Sequence, residues 1–153
     1  MRRLIGLVLA AMVLGPLFPL ASANADVRIP AKVIRYESVV GNKQTLRVLP
    51  NDMITIVDEL GCKPLGDDQI GVLAKLNGVH KSKFKCAYKG QIESWEHEGS
   101  ARYANGTLTV SSVWRDGKGT YRNSVVLKLD GKRCSGVIKI KTGDVRLSKC
   151  VVQ

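Results

Sequence analysis

Histidine is scarce in this chain: His80 and His97 are its only two. Acyl-transfer catalysis needs an imidazole held by an acid and set against a nucleophile. Neither histidine stands in such an arrangement, and no serine occupies a Gly-x-Ser-x-Gly turn. No Cys-x-x-Cys pair is present, which argues against a dithiol redox motif and a structural zinc site. The glycines punctuate turns and form no phosphate-cradling loop after a strand. Aromatic residues make up only 5% of the chain. Trp114 and Tyr121 are expected on the core side, which leaves no platform for the base stacking that single-stranded nucleic acid requires. The segment Trp95-Glu96-His97-Glu98 resembles a metal or acid-base cluster in composition. In a strand, however, Glu96 and Glu98 point to one side and His97 to the other. The expectation is a charged segment in solvent, with no metal and no cofactor.

Acidic residues are also in short supply, 13 against 24 Lys and Arg, so the formal net charge is +11. Long apolar runs are absent after the first 20 residues. Those first residues follow a different rule. Arg2 and Arg3 precede a largely apolar stretch, 4–20, broken by Gly15-Pro16 and Pro19, and Ala23-Asn24-Ala25 ends it with small residues. This is the pattern of a secretory signal peptide, residues 1–25, cut before Asp26. The expected product is an exported protein, periplasmic or secreted, with no membrane anchor after cleavage. Residues 26–153 then form one domain of 128 residues. Its charge falls to +9 once Arg2 and Arg3 leave. No cysteine follows the cleavage point to carry a lipid.

Cys62, Cys86, Cys134 and Cys150 all lie in this domain. An even count in an exported chain reads as two disulfides, with three connectivities open. Proximity in sequence favours Cys62–Cys86 and Cys134–Cys150. The second pair clamps a hairpin turning near Thr142-Gly143-Asp144. Cys134 shares the parity of Ile138 and Ile140, whereas Cys150 has the opposite parity to Val145 and Leu147. This pairing therefore requires a bulge or twist near the end of the last strand.

The second half reads as an antiparallel meander. Asn105-Gly106 is a strong hairpin signal, since both residues tolerate positive φ. Further turns at Asp116-Gly117-Lys118-Gly119, Asp130-Gly131-Lys132 and Thr142-Gly143-Asp144 separate strands over 107–114, 120–129, 136–141 and 145–152. Leu108, Val110, Val125, Leu127 and Ile138 alternate with polar neighbours, giving one face for a core and one for water. In the first half, 27–38 and 44–49 read as strands, with Pro30 pointing to an edge position. Asn51-Asp52 suggests a cap for a short helix over 53–60, although Ile54, Ile56 and Val57 have strand character. Asp67-Asp68 suggests a second helix over 69–76, closed by Asn77-Gly78. A strand over 84–95 breaks at Gly90. The fold class is mainly β, a curled sheet or small barrel with one or two short helices.

The basic residues carry the functional expectation. Arg122, Lys128, Lys139, Lys141 and Arg146 all fall on the outward face of consecutive strands, and Lys81, Lys83 and Lys85 share a parity on an earlier one. A positive sheet face suits an anionic polysaccharide or lipid headgroups. The leading reading is an exported, non-enzymatic binding module for anionic envelope or extracellular material. One alternative is a protein-interaction or inhibitor module of the cell envelope. The other is a small cell-wall glycan hydrolase using two of Glu93, Glu96, Asp116 and Asp130. Gly99-Ser100-Ala101-Arg102-Tyr103, followed by Trp114 and Lys118-Gly119, resembles a pattern in bacterial inhibitors of C-type lysozyme. The resemblance covers only 99–119, with a different spacing. It implies a small disulfide-bearing β-barrel, but lysozyme is cationic and a +9 inhibitor would meet like-charge repulsion.

Overall fold

The computed structural model describes residues 28–58, 63–64, 72–88 and 91–153. The segment expected to be a signal peptide and the expected Cys62–Cys86 pairing lie outside them. The described residues form eleven strands: β1 (Val33–Ser38), β2 (Lys43–Val48), β3 (Met53–Asp58), β4 (Lys63–Pro64), β5 (Val72–Leu76), β6 (Val79–Tyr88), β7 (Gln91–Ala104), β8 (Thr107–Arg115), β9 (Thr120–Asp130), β10 (Arg133–Ile140) and β11 (Gly143–Val152). Asn105 and Gly106 both have positive φ, 50° and 74°, and turn β7 into β8 as a two-residue hairpin.

The meander from β7 to β11 is closed into a nine-stranded barrel by two further links. β11 pairs with β1, and β1, β2 and β3 lead by antiparallel ladders to β5. β5 then joins β7 by a short parallel ladder, Lys75 with Ser100 and Leu76 with Ala101. Closure removes the open edges that a curled sheet would expose. β6 and β4 continue outside the ring, β6 pairing with the first part of β7. β7 is thus shared: its first half belongs to a projecting hairpin and its second half to the barrel wall.

The interior follows the expected alternation. Ile34, Leu46, Ile54, Leu108 and Leu127, from five strands, are fully buried in one core cluster. The wall admits no side chain where β5 crosses β7. A Cβ on Gly99 would stand 2.2 Å from the carbonyl oxygen of Leu73, so only glycine admits the crossing.

The expected short helices do not form among the described residues. Segment 53–58 is β3 and 72–76 is β5. The cause is local. Asn51 and Asp52 both adopt positive φ, 62° and 60°, and reverse the chain as a hairpin rather than capping a helix. β-branched Ile54 and Ile56 then alternate into the core. The expected edge position of the first strand is also corrected. β1 starts three residues beyond Pro30 and lies between β2 and β11, so the proline removes no ladder donor.

Cys134 and Cys150 form a disulfide, the bond of an oxidising compartment. The required bulge is present. On β1, Glu37 pairs with Lys149 but Ser38 pairs with Leu147, leaving Ser148 as the extra residue. Its insertion lets both Leu147 and Cys150 face inward, although their parities differ.

Candidate functional site

Two hairpins, β6–β7 and β8–β9, rise past the rest of the barrel at one end. Their registers align side chains across three strands: His97 of β7 opposes Trp114 of β8, which opposes Tyr121 of β9. Trp95 stands two residues along β7 on the same face. The rings pack together, His97 to Trp114 at 4.2 Å, Trp95 edge-on to Trp114 at 6.2 Å and Trp95 to Tyr121 at 5.9 Å between centroids.

This cluster corrects two expectations. His97 is not in solvent: it is 1% exposed, while Glu96 and Glu98 point outward as alternation requires. Burial, then the neighbouring His80, push its pKa down to about 4, against a smaller opposing pull from Glu98. Both ring nitrogens, and Nε1 of Trp95, are buried without a hydrogen-bond partner among the described residues. Tyr121 is not committed to the core but is 51% exposed, a ring backed by tryptophan and open to solvent.

The basic residues divide into two groups. Lys81 and Lys83 lie opposite Glu98 and Glu96 in the β6–β7 ladder and pair with them at 3.4 and 2.8 Å. Arg115 adds a second cation to Glu98 at 3.2 Å. Hydrogen bonding and charge from Lys83 hold the Glu96 carboxyl below the usual carboxylate range, and Arg115 does the same for Glu98. Lys85 faces Ser94 in the same ladder. This patch is therefore substantially neutralised. Arg122, Lys128, Lys139, Lys141 and Arg146 are all exposed, and among the described residues none of them makes an ion pair. They occupy the outer side of β9, β10, β11 and the β10–β11 turn, with Asp144 in register with Lys139.

A groove of about 1090 Å3 opens at the upper end of this basic surface, between β9 and the β10–β11 turn. Arg122, Lys139 and Lys141 line it together with Tyr121, Asn123 and Thr142. Among the described residues no carboxylate lines it. Of the acids considered for glycan hydrolysis, Glu96 is engaged by Lys83. Asp116 caps the β8–β9 turn by accepting the backbone N–H groups of Lys118 and Gly119, both at 2.9 Å. Asp130 lies at the far end of β9, and the Glu93 side chain is outside the described residues.

The groove and its aromatic backing had a signal in the sequence. Equal steps back from Asn105-Gly106 pair His97 with Trp114, and equal steps back from the Asp116–Gly119 turn pair Trp114 with Tyr121. Placing Tyr121 beside a groove needed one more fact, that β9 begins well before the end of β10. The chain matches no family model, and neither curated proteins nor solved structures yielded a match to it.

Proposed function

We propose that this protein is an exported, non-enzymatic binding module whose basic barrel face, on β9 to β11, holds anionic envelope or extracellular material. The signal-peptide pattern of residues 1–25 and the Cys134–Cys150 disulfide support export into an oxidising compartment. The observation that carries the binding reading is the division of the cations. Arg122, Lys128, Lys139, Lys141 and Arg146 stand exposed without ion-pair partners among the described residues, while Lys81 and Lys83 of β6 face glutamates. An unneutralised patch raises the local concentration of a polyanion and binds it with a strong dependence on salt.

The test is binding to an acidic polysaccharide across a salt series, beside a size-matched sulfonated polymer. Reversing Arg122, Lys128, Lys139 and Lys141 to glutamate is expected to abolish binding to both. Unchanged affinity would sink the proposal.

A second reading, a protein-interaction module, has its own observation. Val39 and Val40, in the β1–β2 turn, are 61% and 69% exposed at the same end of the barrel as the groove. Val39 donates its N–H to the Arg146 carbonyl at 3.0 Å, so the apolar turn sits beside the basic strand. A single protein partner bound there would be retained at high salt, which separates this reading from the first.

A further inference from the structure

We infer that the groove at the free end of β9 is a subsite for an acidic oligosaccharide that crosses the open edge of the strand, one ring stacking on Tyr121 on the inner face while the carboxylate of a neighbouring unit meets Arg122, Lys139 and Lys141 on the outer side. The inference rests on the proposed polyanion binding and narrows it from charge to ligand class.

Three features of the site converge on this chemistry. The first is an open stretch of backbone. The β9–β10 ladder ends at Lys139 and Ser124, whereas β9 starts at Thr120. Residues 120–123 therefore have β8 on one side and the groove on the other. Their main-chain groups on that side are available to ligand hydroxyls, which need donors and acceptors at close spacing.

The second feature is the ring. A pyranose presents a face of C–H bonds that packs on an aromatic surface, while its hydroxyls remain at the edge. Tyr121 is half-exposed, and Trp95 stands 5.9 Å behind it. Trp95 is itself braced edge-on by Trp114. A ring held in this way loses little conformational freedom when a ligand stacks on it. Among the described residues Tyr121 is the only aromatic lining this groove, which suits one stacked sugar. A run of nucleotides would need successive rings.

The third feature is the charge. The groove combines three exposed cations with the side chains of Asn123 and Thr142, and none of its described lining residues is acidic. A neutral sugar would leave the cations unused. A simple inorganic anion would leave the ring and most of the groove unused, because about 1090 Å3 is just above the roughly 300–1,000 Å3 typical of ligand pockets. An acidic oligosaccharide of a few units uses all three features.

The experiment measures affinity for tetragalacturonate, its methyl ester, tetraglutamate and sulfonated polystyrene, using the oxidised mature chain. Tryptophan fluorescence reports on Trp95 beside Tyr121. Tetragalacturonate is expected to bind at least tenfold tighter than either its ester or tetraglutamate, and to shift the emission. Tyr121→Ala and Tyr121→Leu are each expected to weaken it at least tenfold, leaving the sulfonated polymer within twofold. Tyr121→Phe is expected to retain binding. Equal binding of the ester or of tetraglutamate would overturn the inference, as would unaltered affinity in both the Ala and Leu variants. In those cases continued salt-sensitive binding of the sulfonated polymer would leave the broader polyanion reading standing. Loss of binding to every anionic probe by the unmodified chain would remove both.

Discussion

Ser148 donates its hydroxyl to the backbone carbonyl of Glu37 at 3.1 Å, and this bond marks the place where the last strand gains a residue. The same hydroxyl lies 3.3 Å from the Ser38 carbonyl, so one side chain spans the irregular step. The extra residue changes the parity of β11 between Leu147 and Cys150 and turns the cysteine toward Cys134. Deleting Ser148 is expected to restore a regular ladder and direct Cys150 away from its partner. A thiol titration under denaturing conditions should then find two additional free thiols. Ser148→Ala keeps the backbone count and should keep the disulfide, at a cost of about 1 kcal/mol in chemical denaturation. Quantitative disulfide formation in the deletion variant would show that the bulge is not what sets the pairing.

Gly99 marks another place where the barrel wall depends on a single residue. The Leu73 carbonyl and the Ala74 Cα would lie 2.2 and 2.9 Å from an added Cβ, and both are backbone atoms that cannot swing aside. Gly99→Ala is expected to destabilise the fold by roughly 3 kcal/mol or more, the upper end of overpacking. Gly119→Ala is the control. Its Cβ would meet Tyr121 at an ordinary 3.6 Å, so the change should stay within about 0.5 kcal/mol. Urea unfolding of the two variants beside the parent decides it, and equal midpoints would remove the close crossing as an explanation of how the barrel closes.

How far the sequence foretells this molecule depends on how local each determinant is. The strands from β8 to β11 are legible because each lies between turn residues only a dozen positions apart, and because Leu108, Val110, Val125 and Leu127 alternate cleanly. The bulge is legible too, since the parities of Leu147 and Cys150 conflict. The first half is ambiguous at its turns, because Asn51-Asp52 serves equally well as a helix cap or as a left-handed hairpin. Only the φ values of 62° and 60° decide between them. Closure is less legible still. It rests on a two-pair parallel ladder, Lys75 with Ser100 and Leu76 with Ala101, that no local pattern announces. Of the candidate site, the cations were readable by parity, but the neutralisation of Lys81 and Lys83 required the β6–β7 register. The exposure of Tyr121 required the unequal lengths of β9 and β10.

That neutralisation makes a direct prediction about binding. Lys81→Gln with Lys83→Gln removes as much formal charge as Lys139→Gln with Lys141→Gln. The β6 cations already face Glu98 and Glu96, so the first pair of substitutions is expected to change affinity for an acidic polysaccharide by less than about twofold. The second pair should weaken it by roughly tenfold and flatten the salt dependence, because cations that contact the polymer set that slope. The measurement is the same salt titration on both variants. Equal losses would mean that net charge alone governs binding and that the two patches do not differ in function.

His97 ties the aromatic cluster to pH. Its folded pKa, about 4, lies below the ordinary 6.5, because burial and then His80 disfavour the imidazolium, with Glu98 opposing them. Between these values the unfolded chain binds a proton that the folded chain does not, so stability falls as pH drops from 6.5 toward 4 and the loss is complete below both. The shift sets a ceiling of about 3 kcal/mol on this loss. The carboxyls of Glu96 and Glu98 are held below the usual carboxylate range, so their contribution is present above that range and is lost as pH falls through it. His97→Phe keeps a ring against Trp114 and removes the titration. Unfolding midpoints measured from pH 7 to pH 4 should decline for the parent and stay nearly level for the variant. Parallel declines would place the sensitivity elsewhere, whereas a level variant would mean that mild acid loosens the same rings that support Tyr121 at the groove.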